Sequence, residues 1–191
     1  MPHAIRRALA TWTPTAVIAV AVTVGLGACS GGESEHRAAA PKARQDYEAQ
    51  ADDIRNLHTM TPVREFYLDN RLGHLDEALA VASSPRGGTY PVGTIIQLVP
   101  QEAMVKRQKG FSPATRDWEF FFLSVSAAGT TIEKRGTADV VNRFGGNCAS
   151  CHQAASARFD GVCEQDHGCA PLPVGPDVLH AIQESDPRPP G

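Results

Sequence analysis

One run of ten residues, Asp117–Ser126, constrains the fold more than any other part of the sequence. Read as a strand, it alternates between two sets of side chains, and both sets are apolar: Trp118, Phe120 and Phe122 in one, and Phe121, Leu123 and Val125 in the other. A strand with one face in water would have polar residues at every second position. This strand therefore predicts a sheet that is covered by apolar groups on both sides.

Three further segments have the pattern of strands, and they lie close to this one along the chain: Thr94–Val99, Ala103–Gln108 and Thr131–Arg135. Short connections between consecutive strands are typical of antiparallel pairing. Apolar residues at three- or four-residue spacing predict helices over Ala43–Leu57, Leu75–Ser83 and Pro176–Glu184. Arg64–Asn70 fits either a strand or the start of a helix. The predicted fold class is α+β, an antiparallel β-sheet with flanking helices.

The first 28 residues have the features of an export signal, namely a basic start, an apolar run and small residues before a cysteine: Arg6, Arg7, Ala16–Leu26, Gly27, Ala28 and Cys29. The apolar run of eleven residues is too short to span a bilayer comfortably. The end of this segment resembles a bacterial lipoprotein cleavage box, which implies cleavage before Cys29 and diacylglycerol on its thiol. The alternative is ordinary signal peptidase cleavage, which would give a soluble secreted protein.

The sequence then divides into a flexible tether over 29–42, a single domain over 43–184 and a disordered tail over 185–191. A mature chain starting at Cys29 has 16 basic and 21 acidic residues, a net charge of −5. Such a chain lacks the concentrated basic face that nucleic-acid binding needs. We therefore expect an exported protein that a lipid anchors to the cell envelope, with no nucleic-acid partner. The sequence excludes a polytopic membrane protein.

The string Cys148-Ala-Ser-Cys151-His152 carries the clearest chemistry in the chain. Two thiols three residues apart can each add to a vinyl group of one haem, and the next imidazole can reach the iron. The motif predicts one covalent haem c near the C-terminus, held by Cys148, Cys151 and His152. Three alternatives stay open: a thioredoxin-like redox pair, a zinc site that recruits Cys163 and Cys169, and a structural disulfide between Cys148 and Cys151.

The remaining cysteines, Cys163 and Cys169, flank a short polar loop. If Cys29 carries lipid and two cysteines carry haem, these two are most simply a disulfide that closes the loop. Gly168 would allow the loop to turn tightly.

If His152 is the proximal iron ligand, the residue on the opposite face of the haem decides the function. Candidates for that distal position are His167, Met104, Met60, His58 and His74, and each is also explicable as an ordinary core or surface residue. His180 lies on the predicted C-terminal helix and is expected to be solvated. An apolar haem pocket could be built from Trp118, Phe120, Phe122, Leu98 and Met104, which could equally be plain sheet core.

Several elements together resemble the cytochrome P-460 and cytochrome c′-beta family: Tyr90–Ile96, Arg116–Phe121, a glycine-rich approach and the late Cys148–His152 motif. The resemblance covers roughly residues 89–152. It implies a haem lying against a curved sheet, a five-coordinate iron with His152 proximal, and an open, mostly apolar distal face. It also implies one of two activities, either binding of nitric oxide and similar gases or oxidation of hydroxylamine.

One departure from the family bears on this choice. Members that oxidise hydroxylamine carry a lysine cross-linked to the porphyrin, and here the matching position is Leu98, with Gln97 beside it. Lys106 and Lys109 lie on the next strand and could substitute only in another register. We therefore expect an exported mono-haem c-type cytochrome for electron transfer or small-gas binding. Its redox partner or gas ligand is unidentified, and a homodimer is compatible with the sequence. An oxidoreductase acting on hydroxylamine or a related nitrogen compound is the alternative, and a structural lipoprotein with plain disulfides is the third.

Overall fold

The computed structural model describes residues 45–164 and 166–190. The predicted export signal, the lipid-bearing Cys29 and the tether over 29–42 lie outside the described residues. In the described part of the chain, no helix is long and apolar enough to cross a membrane.

Six strands form one antiparallel sheet in which each strand pairs with its neighbours in the sequence. The strands are β1 (Thr61–Val63), β2 (Phe66–Asn70), β3 (Thr94–Gln97), β4 (Glu102–Lys106), β5 (Trp118–Ser126) and β6 (Gly129–Gly136). The helices are α1 (Leu75–Ser83), α2 (Cys148–Gln153) and α3 (Pro176–Glu184). The prediction of an α+β fold with an antiparallel sheet and flanking helices is confirmed.

Both faces of the sheet are covered, as the pattern of β5 predicts. One face, here called the helix face, packs against α1 and α2 and includes Phe66, Leu68, Ile96, Met104, Trp118 and Phe120. The opposite face, here called the N-terminal face, packs against residues 45–60 and includes Ile95, Ala103, Val105, Phe121 and Leu123. Trp118 and Phe121, which point to opposite faces, are both fully buried. β5 is therefore a central strand between two apolar layers.

The predicted strand and helix positions agree with the structure to within a few residues. α1 and α3 have the predicted bounds, and Pro176 occupies a first-turn position where a missing N–H costs nothing. β3 ends at Gln97, two residues earlier than predicted, and the ambiguous segment 64–70 contains strand β2. The short strand β1 was not predicted, because Pro62 weakens the strand pattern there.

The helix predicted over Ala43–Leu57 is wrong for the described residues, which form an extended segment with short 3-10 turns at Ala51–Asp53 and Leu57–Thr59. The backbone carbonyls that a helix would use internally accept hydrogen bonds from side chains of the sheet instead. Arg135 donates to the carbonyl of Ala49 at 3.1 Å, and Thr130 donates to that of Ile54 at 2.7 Å. Gln97 donates to the carbonyl of Arg55 at 2.9 Å. Tertiary hydrogen bonds therefore override the weak helical periodicity.

The end of the domain also lies beyond the predicted boundary at residue 184. Arg188 is only 3% exposed, and its guanidinium donates to the carbonyl of Ile54 at 3.0 Å and to the side chain of Asp186 at 2.6 Å. Asp186 in turn accepts from the backbone N–H of Leu57 at 2.9 Å. The predicted disordered tail is therefore wrong for these residues, because a buried ion pair fixes the chain after α3 to the N-terminal face.

Candidate functional site

A cavity of about 730 Å³ opens between the helix face of the sheet, α2, α3 and the segment after α2. Its volume lies within the range of roughly 300–1,000 Å³ that small-molecule and cofactor pockets occupy. Apolar side chains from three strands and two helices line much of it, among them Phe66, Ile96, Leu98, Met104, Cys148, Val162 and Leu179. The cavity can therefore hold a large, mostly apolar ligand.

The three residues of the motif meet at this cavity, since Cys148, Cys151 and His152 all line it. They lie on α2, a helix of six residues that begins where Asn147 accepts a hydrogen bond from the backbone N–H of Ser150 at 2.9 Å. The Asn147 amide also donates to the carbonyl of Ala138 at 2.6 Å, which ties the start of the helix to the preceding loop. Residues three apart on a helix lie on the same side, so both thiols lie on one side of α2.

A hydrogen bond determines which nitrogen of the His152 imidazole carries the proton. Its Nδ1 lies 2.7 Å from the carbonyl oxygen of Gly161, and a carbonyl can only accept. Nδ1 therefore carries the proton, and Nε2 keeps the lone pair that a metal needs. Burial lowers the pKa of His152, which favours the neutral ring further. The ring of Phe120 packs beside the imidazole with centroids 5.1 Å apart.

The two motif cysteines are free thiols, Cys148 buried and Cys151 partly exposed. Burial, with a smaller contribution from the nearby Glu102 carboxylate, raises the pKa of Cys148 to about 12. A thioredoxin-like pair needs the opposite shift, because a lowered pKa makes its thiolate reactive. The geometry is consistent with thiols that have a structural or attachment role, and no disulfide links Cys148 to Cys151.

Cys163 and Cys169 form a disulfide with a Cα–Cα separation of 5.6 Å, as predicted. Both residues line the cavity, so the closed loop forms part of its wall. A zinc site of four thiolates is therefore unavailable, since two of the four sulfurs are bonded to each other. Arg64 holds the start of this loop with two hydrogen bonds to the Glu164 carboxylate, at 2.5 Å and 2.6 Å.

Replacing Cys163 and Cys169 together by serine is expected to lower the free energy of unfolding by about 2 kcal/mol, because the crosslink restricts the unfolded chain through a short loop. Equilibrium unfolding in urea measures this change. The wild-type chain with its disulfide reduced is the control, and it should match the double variant. Equal midpoints for the oxidised wild type and the variant would contradict the prediction.

The five candidates for a distal ligand are placed very differently. Met104 is the one candidate among the described residues that lines the cavity. Met60 packs on the N-terminal face, where its sulfur accepts from the Gln97 amide at 2.9 Å. His167 stacks on Phe159 with centroids 3.6 Å apart and contacts the carbonyl of Val162. Exposed His58 packs against Tyr67, and His74 contacts Glu77 at the start of α1. His180 is exposed, as predicted.

The predicted haem pocket is brought together only in part. Leu98 and Met104 line the cavity, whereas Trp118, Phe120 and Phe122 lie on the same face of the sheet without lining it. The structure adds Phe66, Ile96 and Leu179 to the lining. Phe66 lay in the segment that fits either a strand or a helix, and only its pairing with the sheet directs it to the cavity. The carbonyl of Gly161 has no signal in the sequence, because every residue carries one.

No lysine lines the cavity among the described residues. Gln97 is fully buried and contributes to the N-terminal face through its contact with Met60, whereas Leu98 lines the cavity. Lys106 is buried in an ion pair with Asp160, and Lys109 is exposed.

Comparison with protein-family models, with curated proteins and with solved structures finds no match to this chain.

Proposed function

We propose that this chain is an exported mono-haem c-type cytochrome whose cavity binds a small gas such as nitric oxide. One observation carries the proposal: two free thiols and an imidazole with an unprotonated Nε2 line the same, mostly apolar cavity of about 730 Å³. This donor set suits haem, because the thiols can form thioethers and the neutral imidazole is a common iron ligand.

In this proposal Cys148 and Cys151 hold the haem covalently, and His152 is its proximal ligand. When bound, haem supplies a one-electron iron couple and a coordination position for a small ligand. The hydrogen bond from Nδ1 of His152 to the carbonyl of Gly161 orients the ring and keeps Nε2 available. Phe66, Ile96 and Leu98 provide apolar walls that keep water away from the ligand position.

Electron transfer to a redox partner is the second candidate function, and the position of Met104 favours it. Its thioether is the one soft donor in the described lining besides the cysteines, and axial methionine is typical of electron-transfer cytochromes. Oxidation of hydroxylamine has less support, because it requires a lysine bonded to the porphyrin and the described lining contains none.

Export and lipid anchoring remain part of the proposal. The signal-like segment ending at Cys29 supports them, and so does the Cys163–Cys169 disulfide, since disulfides persist mainly in oxidising compartments outside the cytoplasm. Covalent haem attachment also belongs to that side of the membrane.

The absorption spectrum of the full chain, purified from a host competent in haem c maturation, tests the proposal. We expect a Soret band, a pyridine haemochrome of c type and a mass increased by one haem. Addition of nitric oxide should change the ferrous spectrum at once if the distal position is open. A six-coordinate spectrum that Met104→Leu converts to five-coordinate would favour electron transfer instead. Colourless protein without the added mass would overturn the proposal.

A further inference from the structure

The hydrogen bond that orients His152 depends on a single backbone carbonyl, that of Gly161. Gly161 has a left-handed φ of +84°, and the preceding Asp160 has a φ of +55°, which is uncommon for a residue with a side chain. Glycine adopts this conformation freely, but a residue with a side chain keeps it only where its surroundings hold it there. The contacts of Asp160 therefore help to fix the position of the neighbouring Gly161 carbonyl.

Asp160 is fixed to three separate parts of the fold. Its carboxylate lies 2.8 Å from the ammonium of Lys106 on β4 and accepts from the backbone N–H of Tyr90 at 2.9 Å. Its backbone carbonyl accepts from the indole N–H of Trp118 on β5 at 2.5 Å. The segment that contacts His152 is thus bonded to the neighbouring strands β4 and β5.

The Lys106–Asp160 ion pair is buried and its hydrogen bonds are satisfied. The Lys106 and Asp160 side chains are 5% and 8% exposed. Lys106 also donates to the carbonyl of Arg116 at 2.5 Å, and its ammonium lies 5.1 Å from the centroid of the Trp118 ring. The desolvation of a buried ion pair often offsets its attraction, so such a pair is weak evidence of stabilisation, and some buried pairs instead fix one conformation.

We propose that Lys106 and Asp160 are positioning residues for His152, which act by holding the carbonyl of Gly161 against the imidazole Nδ1. This inference rests on the proposed function, because it assigns the ion pair a role at the proximal face of the haem. Neither residue lines the cavity, so both act through the loop and not by contact with a ligand.

The expected effect has a definite direction. A hydrogen bond from Nδ1 to a carbonyl increases the electron donation of the imidazole to iron, and this favours the ferric state. Loosening Gly161 weakens that bond and therefore shifts the equilibrium toward the ferrous state. Loss of a contact that orients a metal-bound histidine typically changes metal affinity or activity about 10- to 100-fold. For the one-electron iron couple we expect a shift at the lower end of this range, and a tenfold change in that equilibrium equals about 59 mV in reduction potential.

The double variant Lys106→Met with Asp160→Asn is the main test, because it leaves no unpaired charge in the interior and asparagine tolerates the left-handed conformation. In the haem-loaded full chain we expect the ferric–ferrous equilibrium to shift about tenfold toward the ferrous state, which raises the reduction potential by about 59 mV. We also expect the iron–histidine stretching frequency to fall. Asp160→Asn alone should shift both in the same direction and also lower the thermal midpoint. An unchanged potential in a folded, haem-loaded double variant would overturn the inference.

A second measurement does not need haem. In the full chain made without haem maturation, imidazole nitrogen NMR should show His152 as the Nδ1–H tautomer, and the double variant should show a mixture of both tautomers. The same single tautomer in both chains would also overturn the inference. Because this readout is independent of attachment, it distinguishes failure of the inference from failure of the proposed function, which would give colourless protein.

Glu119→Gln is the matched control. Glu119 also lies in a buried ion-pair cluster on β5, but it points to the N-terminal face, where Arg107 and Arg135 contact it at 2.5 Å and 2.6 Å. We expect this variant to lose stability with no change in reduction potential and no change in the His152 tautomer. An equal shift of the potential in Glu119→Gln would mean that general loosening of the sheet produces the effect, and the positioning role would be rejected.

Discussion

Replacing Cys148 and Cys151 together by serine is expected to abolish covalent haem attachment completely, because serine hydroxyls do not form thioethers with the vinyl groups. The bound colour should then extract into acidic acetone, and the intact mass should equal that of the polypeptide alone. Each single variant should keep one thioether and retain the haem mass.

The double variant of Cys163 and Cys169 is the matched control for this experiment. It removes the same number of sulfurs from the wall of the same cavity, and it should keep its haem after extraction. Retention of the macrocycle by the Cys148→Ser, Cys151→Ser chain would contradict the assignment of these residues as the attachment points.

Arg188→Ala is expected to lower the free energy of unfolding by about 3–5 kcal/mol, because it leaves a buried carboxylate without its partner. The Arg188 and Asp186 side chains are 2% and 0% exposed, and the same guanidinium serves the carbonyl of Ile54 and the side chain of Gln97. Denaturant unfolding of the full chain measures the change. A loss below about 1 kcal/mol, the usual worth of an exposed pair, would contradict the prediction.

The double variant Arg188→Met with Asp186→Asn is the control for the unpaired charge, and it should be more stable than Arg188→Ala alone. The pH dependence gives a second control. Burial opposes ionisation of Asp186, but hydrogen bonds from Arg188 and from Leu57 outweigh it and lower its pKa. Its contribution is therefore present above the unfolded-state pKa near 4 and is lost as pH falls through the folded pKa. Arg188→Ala should flatten this acid-induced loss.

The parts of the fold that the sequence predicts correctly are those in which local pattern and tertiary environment agree. β5 has apolar residues on both faces, which is typical of an interior strand, and the apolar spacing of α1 and α3 agrees with the positions that they occupy in the fold. Residues 45–57 show the opposite case. Their helical periodicity is weak, and the side chains that take up their carbonyls, among them Thr130, Arg135 and Arg188, lie far away in the sequence.

The candidate site also combines residues that a local pattern predicts with contacts that it does not predict. The spacing of Cys148, Cys151 and His152 is a local signal, and the structure places all three residues at one cavity. The contacts that orient the imidazole are not local: Lys106 and Asp160 are 54 residues apart, and the group that contacts His152 is a backbone carbonyl. Residues this far apart in the sequence produce no periodic pattern, so only the folded structure relates Lys106 and Asp160 to the motif.

The two outer strands of the sheet have a consequence for how copies of this protein behave when they are crowded together. β1 has only three residues, and its centre is Pro62, which has no N–H to offer to another strand. At the other border, β6 carries Glu133, Lys134 and Arg135 in succession, and residues 49–54 lie along it through the bonds from Thr130 and Arg135. Both edge strands are thus poor templates for the addition of another strand. We therefore expect strand addition between crowded copies of this protein to be disfavoured at both edges of the sheet.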